Sequence, residues 1–336
     1  MPRLHFEDFS PGAFEVPGSV TVTKEAIVAF AREFDAQPFH TDEEAAKRTF
    51  AGGLIASGWH TCGLLMRLVA DGFINDSSSM GAPGVEELKW LKPVRPGDTL
   101  RVRCTVLESK ASRSRPEMGL VRIHYELVNQ KDEVVLTQRN WAMLGRRGFT
   151  PPYGMRLSGP AEAAPGAASS DLRPSGEGEP APFFEDVALG ETVVLGTYAF
   201  TPEKVIAFAR AFDPQPFHVD PQAAAKSHFG ALAASGWHTA AAWMKRLVER
   251  RTRQREAALA QGRRPVNFGP SPGFRDLRWL KPVYAGDTLT FRTTVVDKRP
   301  SSSRPEWGLV LSHNTGHNQA GELVYEFSGA GFVERR

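Results

Sequence analysis

The sequence predicts an α+β protein made of two copies of one domain, each a long buried helix enclosed by consecutive antiparallel strands. Three observations carry that expectation. Residues 6–46 superpose on residues 184–224 without a gap, at a constant offset of 178. Each copy holds two stretches whose apolar residues recur at helical spacing, and each then turns to β-rich runs separated by turn-forming residues.

The repeat is legible residue by residue. Asp35-Ala36-Gln37-Pro38-Phe39-His40-Thr41-Asp42 matches Asp213-Pro214-Gln215-Pro216-Phe217-His218-Val219-Asp220, and Ser57-Gly58-Trp59-His60-Thr61 matches Ser235-Gly236-Trp237-His238-Thr239. Further on, Trp90-Leu91-Lys92-Pro93-Val94 and Gly97-Asp98-Thr99-Leu100 recur at an offset of 189, so copy two carries a net insertion of eleven residues. The predicted division is 1–148 for the first domain and 183–336 for the second. The Pro-, Gly-, Ala- and Ser-rich stretch 149–182 between them has no apolar period and reads as an extended, mobile linker.

Within each copy, Thr23 or Thr201 is suited to N-cap a first helix, whose apolar face is Ile27, Phe30, Ala31 and Phe34, or Val205, Phe208, Ala209 and Phe212. Ser57 or Ser235 is suited to cap a second. That helix runs through Trp59, Cys62, Met66, Val69 and Phe73, or Trp237, Ala240, Met244 and Val248. Because Leu64 and Leu65 are apolar too, burial on most of its surface is expected. The runs Leu100–Leu107, Gly119–Asn129 and Val134–Leu144 follow as strands, with Pro96-Gly97-Asp98 as one turn. Gly81-Ala82-Pro83-Gly84 reads as another turn.

Composition bounds the function. The chain has 336 residues, 41% hydrophobic and 24% charged, with 25 prolines, 31 glycines and a formal net charge of +3. That excludes collagenous, fully disordered and supercharged classes, and the charge excess is too small to argue for nucleic acid. Two cysteines, Cys62 and Cys104, cannot make a disulfide framework and lack C-x-x-C spacing; they read as core residues of a protein in a reducing compartment. No apolar run reaches the roughly 18–20 residues of a membrane span, and Met1–Asp8 lacks a signal-peptide core. A cytoplasmic protein with no membrane partner is expected.

Chemistry is sought at Asp35 and His40. On a continuous helix residues five apart lie about 140° round from each other, and on a strand they face opposite sides. Pro38 disfavours helical geometry at Gln37 and lacks the amide a continuing helix would use, so the first helix should end near Asp35 and turn. In that turn a carboxylate and an imidazole can converge on one water, a pairing suited to general acid–base work; as structural residues they would only cap a turn and pack. Asp213 and His218 repeat the pair. Ser57-Gly58 and Ser235-Gly236 open the buried helix, where unpartnered amides and the macrodipole favour a developing oxyanion. A glycine there would let a thioester carbonyl approach closely. His60 and His238, in the first turn, read as structural.

On the D-x-Q-P-F-H segment, the small-residue-plus-glycine helix start and the L-K-P-V-x-x-G-D-T-L segment, each copy resembles a MaoC-like, or R-specific enoyl-CoA hydratase-type, hot-dog domain. The resemblance covers both copies apart from the linker and the insertion. It implies a double hot-dog fold, a covalent version of a homodimer, and leaves a further homo-oligomer open. It also implies reversible hydration of trans-2-enoyl thioesters of coenzyme A or acyl carrier protein to (R)-3-hydroxyacyl thioesters. Carried over by position, Asp35, His40 and Gly58, with Asp213, His218 and Gly236, are the implied catalytic groups. Gln37 and Gln215, where the family usually has Asn, and Ser57 and Ser235 are the implied substrate-binding groups. Neither copy has visibly lost its pair, so two sites are expected. No cofactor is implied beyond the coenzyme A of the substrate, and no cluster has metal-ligand spacing. The alternatives are a hot-dog thioesterase and a non-catalytic acyl-thioester-binding scaffold.

The insertion lies within Lys245–Phe274 and contributes Arg250, Arg251, Arg253, Arg255, Arg263 and Arg264. A solvated charged face is the leading expectation for it. Contact with coenzyme A phosphates or an acidic carrier protein is the sharper one, and Arg113, Arg115 and Arg304 invite it more weakly.

Overall fold

In a computed structural model, residues 2–148, 174–176 and 178–336 are described; most of the expected linker, 149–173 and 177, lies outside the described residues. Copy one runs β1 (Gly12–Thr21), α1 (Lys24–Phe34), α2 (Pro38–Thr41), α3 (Glu43–Lys47), α4 (Gly58–Gly72), β2 (Gly84–Trp90), β3 (Thr99–Ala111), β4 (Met118–Val128) and β5 (Val134–Gly145). Copy two repeats that order as β6 (Thr192–Ala199), α5 (Pro202–Phe212), α6 (Pro216–Val219), α7 (Pro221–Ala225), α8 (Gly236–Ala260), β7 (Gly273–Trp279), β8 (Thr288–Pro300), β9 (Trp307–His317) and β10 (Leu323–Glu334).

Local chemistry places the helices where the sequence puts them. Thr23 accepts from the Ala26 amide at 3.1 Å and Thr201 from the Lys204 amide at 3.4 Å, capping α1 and α5. The α4 helix buries residues on every side, from Trp59 and Cys62 to Leu65 and Val69, and so forms the centre about which the copy-one strands curl. Those strands alternate: Leu100, Val102, Cys104 and Val106 of β3 face the core, while the intervening residues keep contact with solvent.

Two strands in each copy lie outside the β-rich runs. β1 contains Pro17-Gly18, tolerated because it is an edge strand with a register shift between Val16 and Val20. β2, GVEELKW, is rich in charge yet sits at the middle of the sheet, and the expected turn at residues 81–84 gives way to it at Gly84.

All ten strands form one antiparallel sheet in the order β1-β3-β4-β5-β2-β7-β10-β9-β8-β6, a palindrome under the repeat. The two halves meet where β2 pairs with β7. The close approach there requires glycine at both ends of the seam: a Cβ on Gly84 would lie 2.0 Å from the Leu277 carbonyl oxygen, and one on Gly273 2.1 Å from that of Leu88. Helices cross the same seam. Phe30 meets Phe212 edge-on at 5.5 Å, and Phe34 meets Phe208 at 5.7 Å, so each copy's first helix packs against the other copy. The fold is a double hot dog. Among the described residues no helix is long and apolar enough to cross a membrane.

Candidate active site

The proline-directed turn brings the acid and the imidazole together. Asp35 ends α1, its amide still donating to the Ala31 carbonyl at 2.7 Å, and Gln37 is extended at φ −85°, ψ 144°, as a residue before proline must be. Pro38 then starts the single turn α2 that carries His40. In consequence Nε2 of His40 lies 3.4 Å from Oδ2 of Asp35, and Nε2 of His218 lies 3.5 Å from Oδ2 of Asp213. Both pairs are buried.

Hydrogen bonds fix the orientation of each group. Nδ1 of His40 is 2.8 Å from the Ile55 carbonyl, and Nδ1 of His218 is 2.7 Å from that of Ala233. A carbonyl only accepts, so Nδ1 carries a proton and Nε2 is the ring atom turned towards the aspartate. Asp35 receives the Gln37 amide on Oδ1 at 2.7 Å and the Ser57 hydroxyl on Oδ2 at 2.7 Å; Asp213 receives Gln215 at 2.9 Å and Ser235 at 2.6 Å. Each carboxylate thus has two donors and faces Nε2 of its histidine, close enough for one water to bridge the two.

These contacts correct the expectation for the serines and refine that for the glutamines. Ser57 and Ser235 are fully buried, donate to the carboxylate and accept the Trp59 or Trp237 amide at 3.2 Å, so they position the acid and cap the helix rather than face a substrate. Gln37 and Gln215 border the cavities, but their amides are committed to the carboxylates.

The helix-start glycine also has a packing reason. A Cβ on Gly58 would lie 2.6 Å from Cε2 of Trp90, and one on Gly236 2.2 Å from Cε2 of Trp279. Each indole donates from Nε1 to the carbonyl of that same glycine at 3.0 Å. Tryptophan packing by itself demands the glycine. The sequence reading missed both tryptophans, although their repetition within W-L-K-P-V was the available signal. The glycine amides remain the first of α4 and α8, without an intrahelical acceptor.

His60 and His238 are structural, as expected. His60 stacks on Phe30 at 4.8 Å and His238 on Phe208 at 4.7 Å. Burial holds their pKa values down, to about 4 and about 3 respectively. An unfolded chain would take up these protons near pH 6.5 whereas the fold refuses them, so their contribution to stability is complete above that pH and is lost as the pH falls towards 4. The expected slope is about 1.4 kcal/mol per pH unit for each histidine. Replacing both with Gln should flatten the acid limb of a denaturant-measured stability–pH curve; an unchanged slope would contradict the assignment.

Each Asp/His pair opens into a cavity walled by the other copy. Asp35, His40 and Gly58 line a space of about 780 Å³ with Trp243, Phe274 and Phe327 of copy two. Asp213, His218 and Gly236 line one of about 330 Å³ with Tyr125, Gln138 and Asn140 of copy one. The arginine-rich insertion extends α8 to 25 residues against 15 in α4. Arg255, Arg263 and Arg264 are exposed as expected, whereas Arg250 and Arg251 turn inward and line the copy-one cavity. Exposed Arg304 borders that same cavity and Arg115 borders the copy-two cavity, each serving the opposite copy; Arg113 is exposed.

Comparison with known proteins agrees with this architecture. The MaoC like domain matches residues 12–127 and again 186–306. The 3-hydroxybutyryl-CoA dehydratase of Methylorubrum extorquens is 28% identical over 161 residues, 46% of this chain and 94% of that one. The uncharacterized protein YdeM of Bacillus subtilis is 32% identical over 130 residues, 38% of this chain and 90% of its own. Among solved structures, Rv0216 of Mycobacterium tuberculosis, a double hot dog, superposes with a TM-score of 0.71 at 16% identity, over 98% of each chain. With the domain present in both halves, the chain belongs to the MaoC-like dehydratase family.

Proposed function

We propose that the protein is a hydro-lyase that reversibly adds water to a trans-2-enoyl thioester of coenzyme A or an acyl carrier protein, giving the (R)-3-hydroxyacyl thioester. The observation that carries this reading is the pairing, in each copy, of a carboxylate and an imidazole acceptor 3.4–3.5 Å apart at the amino end of an enclosed helix. A water donating to both acceptors has its oxygen lone pair free for the β-carbon. As that bond forms, one proton passes to the pair and negative charge gathers on the thioester oxygen. The amide of Gly58 or Gly236 stabilises that charge, and the pair returns a proton to the α-carbon. The product has gained one H and one OH, so the reaction needs no cofactor beyond the thioester itself. Support also comes from the dehydratase relative, whose substrate belongs to the same chemical class.

The deciding experiment incubates the full chain with crotonyl-CoA and longer enoyl-CoAs and follows loss of enoyl absorbance, with a thiol trap alongside. Loss of absorbance without thiol release is the expected result. Thiol release would make it a thioesterase, and silence at every chain length would defeat both enzymatic readings.

A further inference from the structure

The copy-one cavity contains a cation whose side chain no group among the described residues hydrogen-bonds or directly ion-pairs. Arg251 lines it from the extended part of α8, stacked with its guanidinium 4.1 Å from the centre of the Phe268 ring. It makes no hydrogen bond or ion pair among the described residues. The neighbouring cations are accounted for: Lys92 pairs with Glu133 at 2.6 Å, Arg95 donates to the Ala51 carbonyl at 2.7 Å, Arg250 donates to the Ser175 carbonyl, and Arg304 is exposed. Burial lowers the Arg251 pKa to about 10 and the nearby Asp35 carboxylate opposes that fall, so the group stays charged at neutral pH.

A partly buried guanidinium that makes no hydrogen bond leaves its donors unsatisfied, which costs free energy. Arg251 belongs to the part of α8 that has no counterpart in α4, which ends at Gly72. The copy-two cavity is smaller, and the cations on its lining, Arg115 and Lys281, are paired with Glu117 and Glu322. The two chambers therefore differ in size and in the pairing of the cations that line them.

We propose that the copy-one site accepts acyl thioesters whose acyl chain carries a second anionic group, a carboxylate, and that Arg251 binds this carboxylate through its planar fork of donors. The inference rests on the reading that the Asp35/His40 cavity receives the acyl thioester. Its experiment is independent of turnover.

Glutaryl-CoA and butyryl-CoA, saturated and unreactive towards hydration, have acyl chains that differ by the terminal carboxyl group. Calorimetry on the full chain should give tighter binding of glutaryl-CoA at one site per chain. Arg251→Gln should weaken it about tenfold or more while leaving butyryl-CoA unchanged. Arg251→Lys, which keeps the charge but not the fork, should fall between and guards against a folding defect in the Gln variant. Equal weakening of both ligands would mean that Arg251 meets a coenzyme A phosphate, and no change in either would mean that it only packs; each result overturns the proposal. A retained glutaryl preference in a chain that hydrates nothing would instead sink the hydratase reading and leave the anion site standing.

Discussion

Replacing Asp35 and Asp213 together with Asn is expected to lower kcat/KM for enoyl-thioester hydration by about 10²–10⁴-fold, the usual weight of a positioned acid–base group. Asn is nearly isosteric, and its carbonyl and amide can still meet Gln37 and Ser57, or Gln215 and Ser235, so the fold should persist. What is lost is the acceptor: an amide cannot take a proton from water, and an NH₂ group turned towards Nε2 of His40 or His218 would occupy that lone pair as well. Because each cavity has its own complete pair, either single variant should keep the activity of the other copy. Steady-state kinetics of the two single variants and the double variant, with circular dichroism to confirm folding, decide the matter. Full activity in the double variant would remove these groups from the mechanism. Complete loss in one single variant would show that only that copy works.

Gly58→Ala and Gly236→Ala should disturb both stability and activity. The new methyl group would fall 2.6 Å from the Trp90 indole or 2.2 Å from that of Trp279, well inside contact distance. Neither ring can simply swing away. Trp90 is tied by its Nε1 bond to the Gly58 carbonyl and packs edge-on against Trp59 at 5.7 Å and Phe274 at 5.7 Å. Overpacking of this kind costs about 1–3 kcal/mol, and the strain would fall on the helix start whose first amide is proposed to meet the thioester. We expect a lower thermal midpoint for each variant, the larger drop for Gly236→Ala, and reduced turnover in the altered copy. Adding Trp90→Phe to Gly58→Ala removes the indole edge that clashes and should recover part of the stability, a coupling that a double-mutant cycle measures. If the alanine variant is as stable as the parent, the packing account of this glycine fails.

Several parts of the site were legible without coordinates because their causes are local. A proline acts on its own φ and on the residue before it, so the bend between Asp35 and His40 follows from Gln37-Pro38 alone. A serine before a run of apolar residues caps a helix through its own side chain, and Ser57 and Ser235 do so. The edge and central strands β1 and β2 were not legible. Pro17 and Gly18 in one and the charges of the other argue against a strand locally, and only pairing with β3, and with β5 and β7, overrides them.

The insertion shows the same division. Its arginines read as a solvated face because a charge run carries no information about which side of a helix it will present. Packing of α8 against the other copy's cavity turned Arg250 and Arg251 inward and left Arg255 outside. The serines likewise read as substrate ligands because sequence does not show that a carboxylate 22 residues upstream will claim their hydroxyls.

The sequence by itself determined the duplication, the α+β class, the helix caps and the turn that joins each acid to its imidazole, since propensity, capping and proline stereochemistry act within a few residues. Only the tertiary structure decided that the two halves share one sheet, that each cavity is walled by the opposite copy, and that a tryptophan fixes each helix-start glycine. Those outcomes depend on contacts between segments far apart in the chain, where side-chain volumes and unpaired strand edges must be satisfied together.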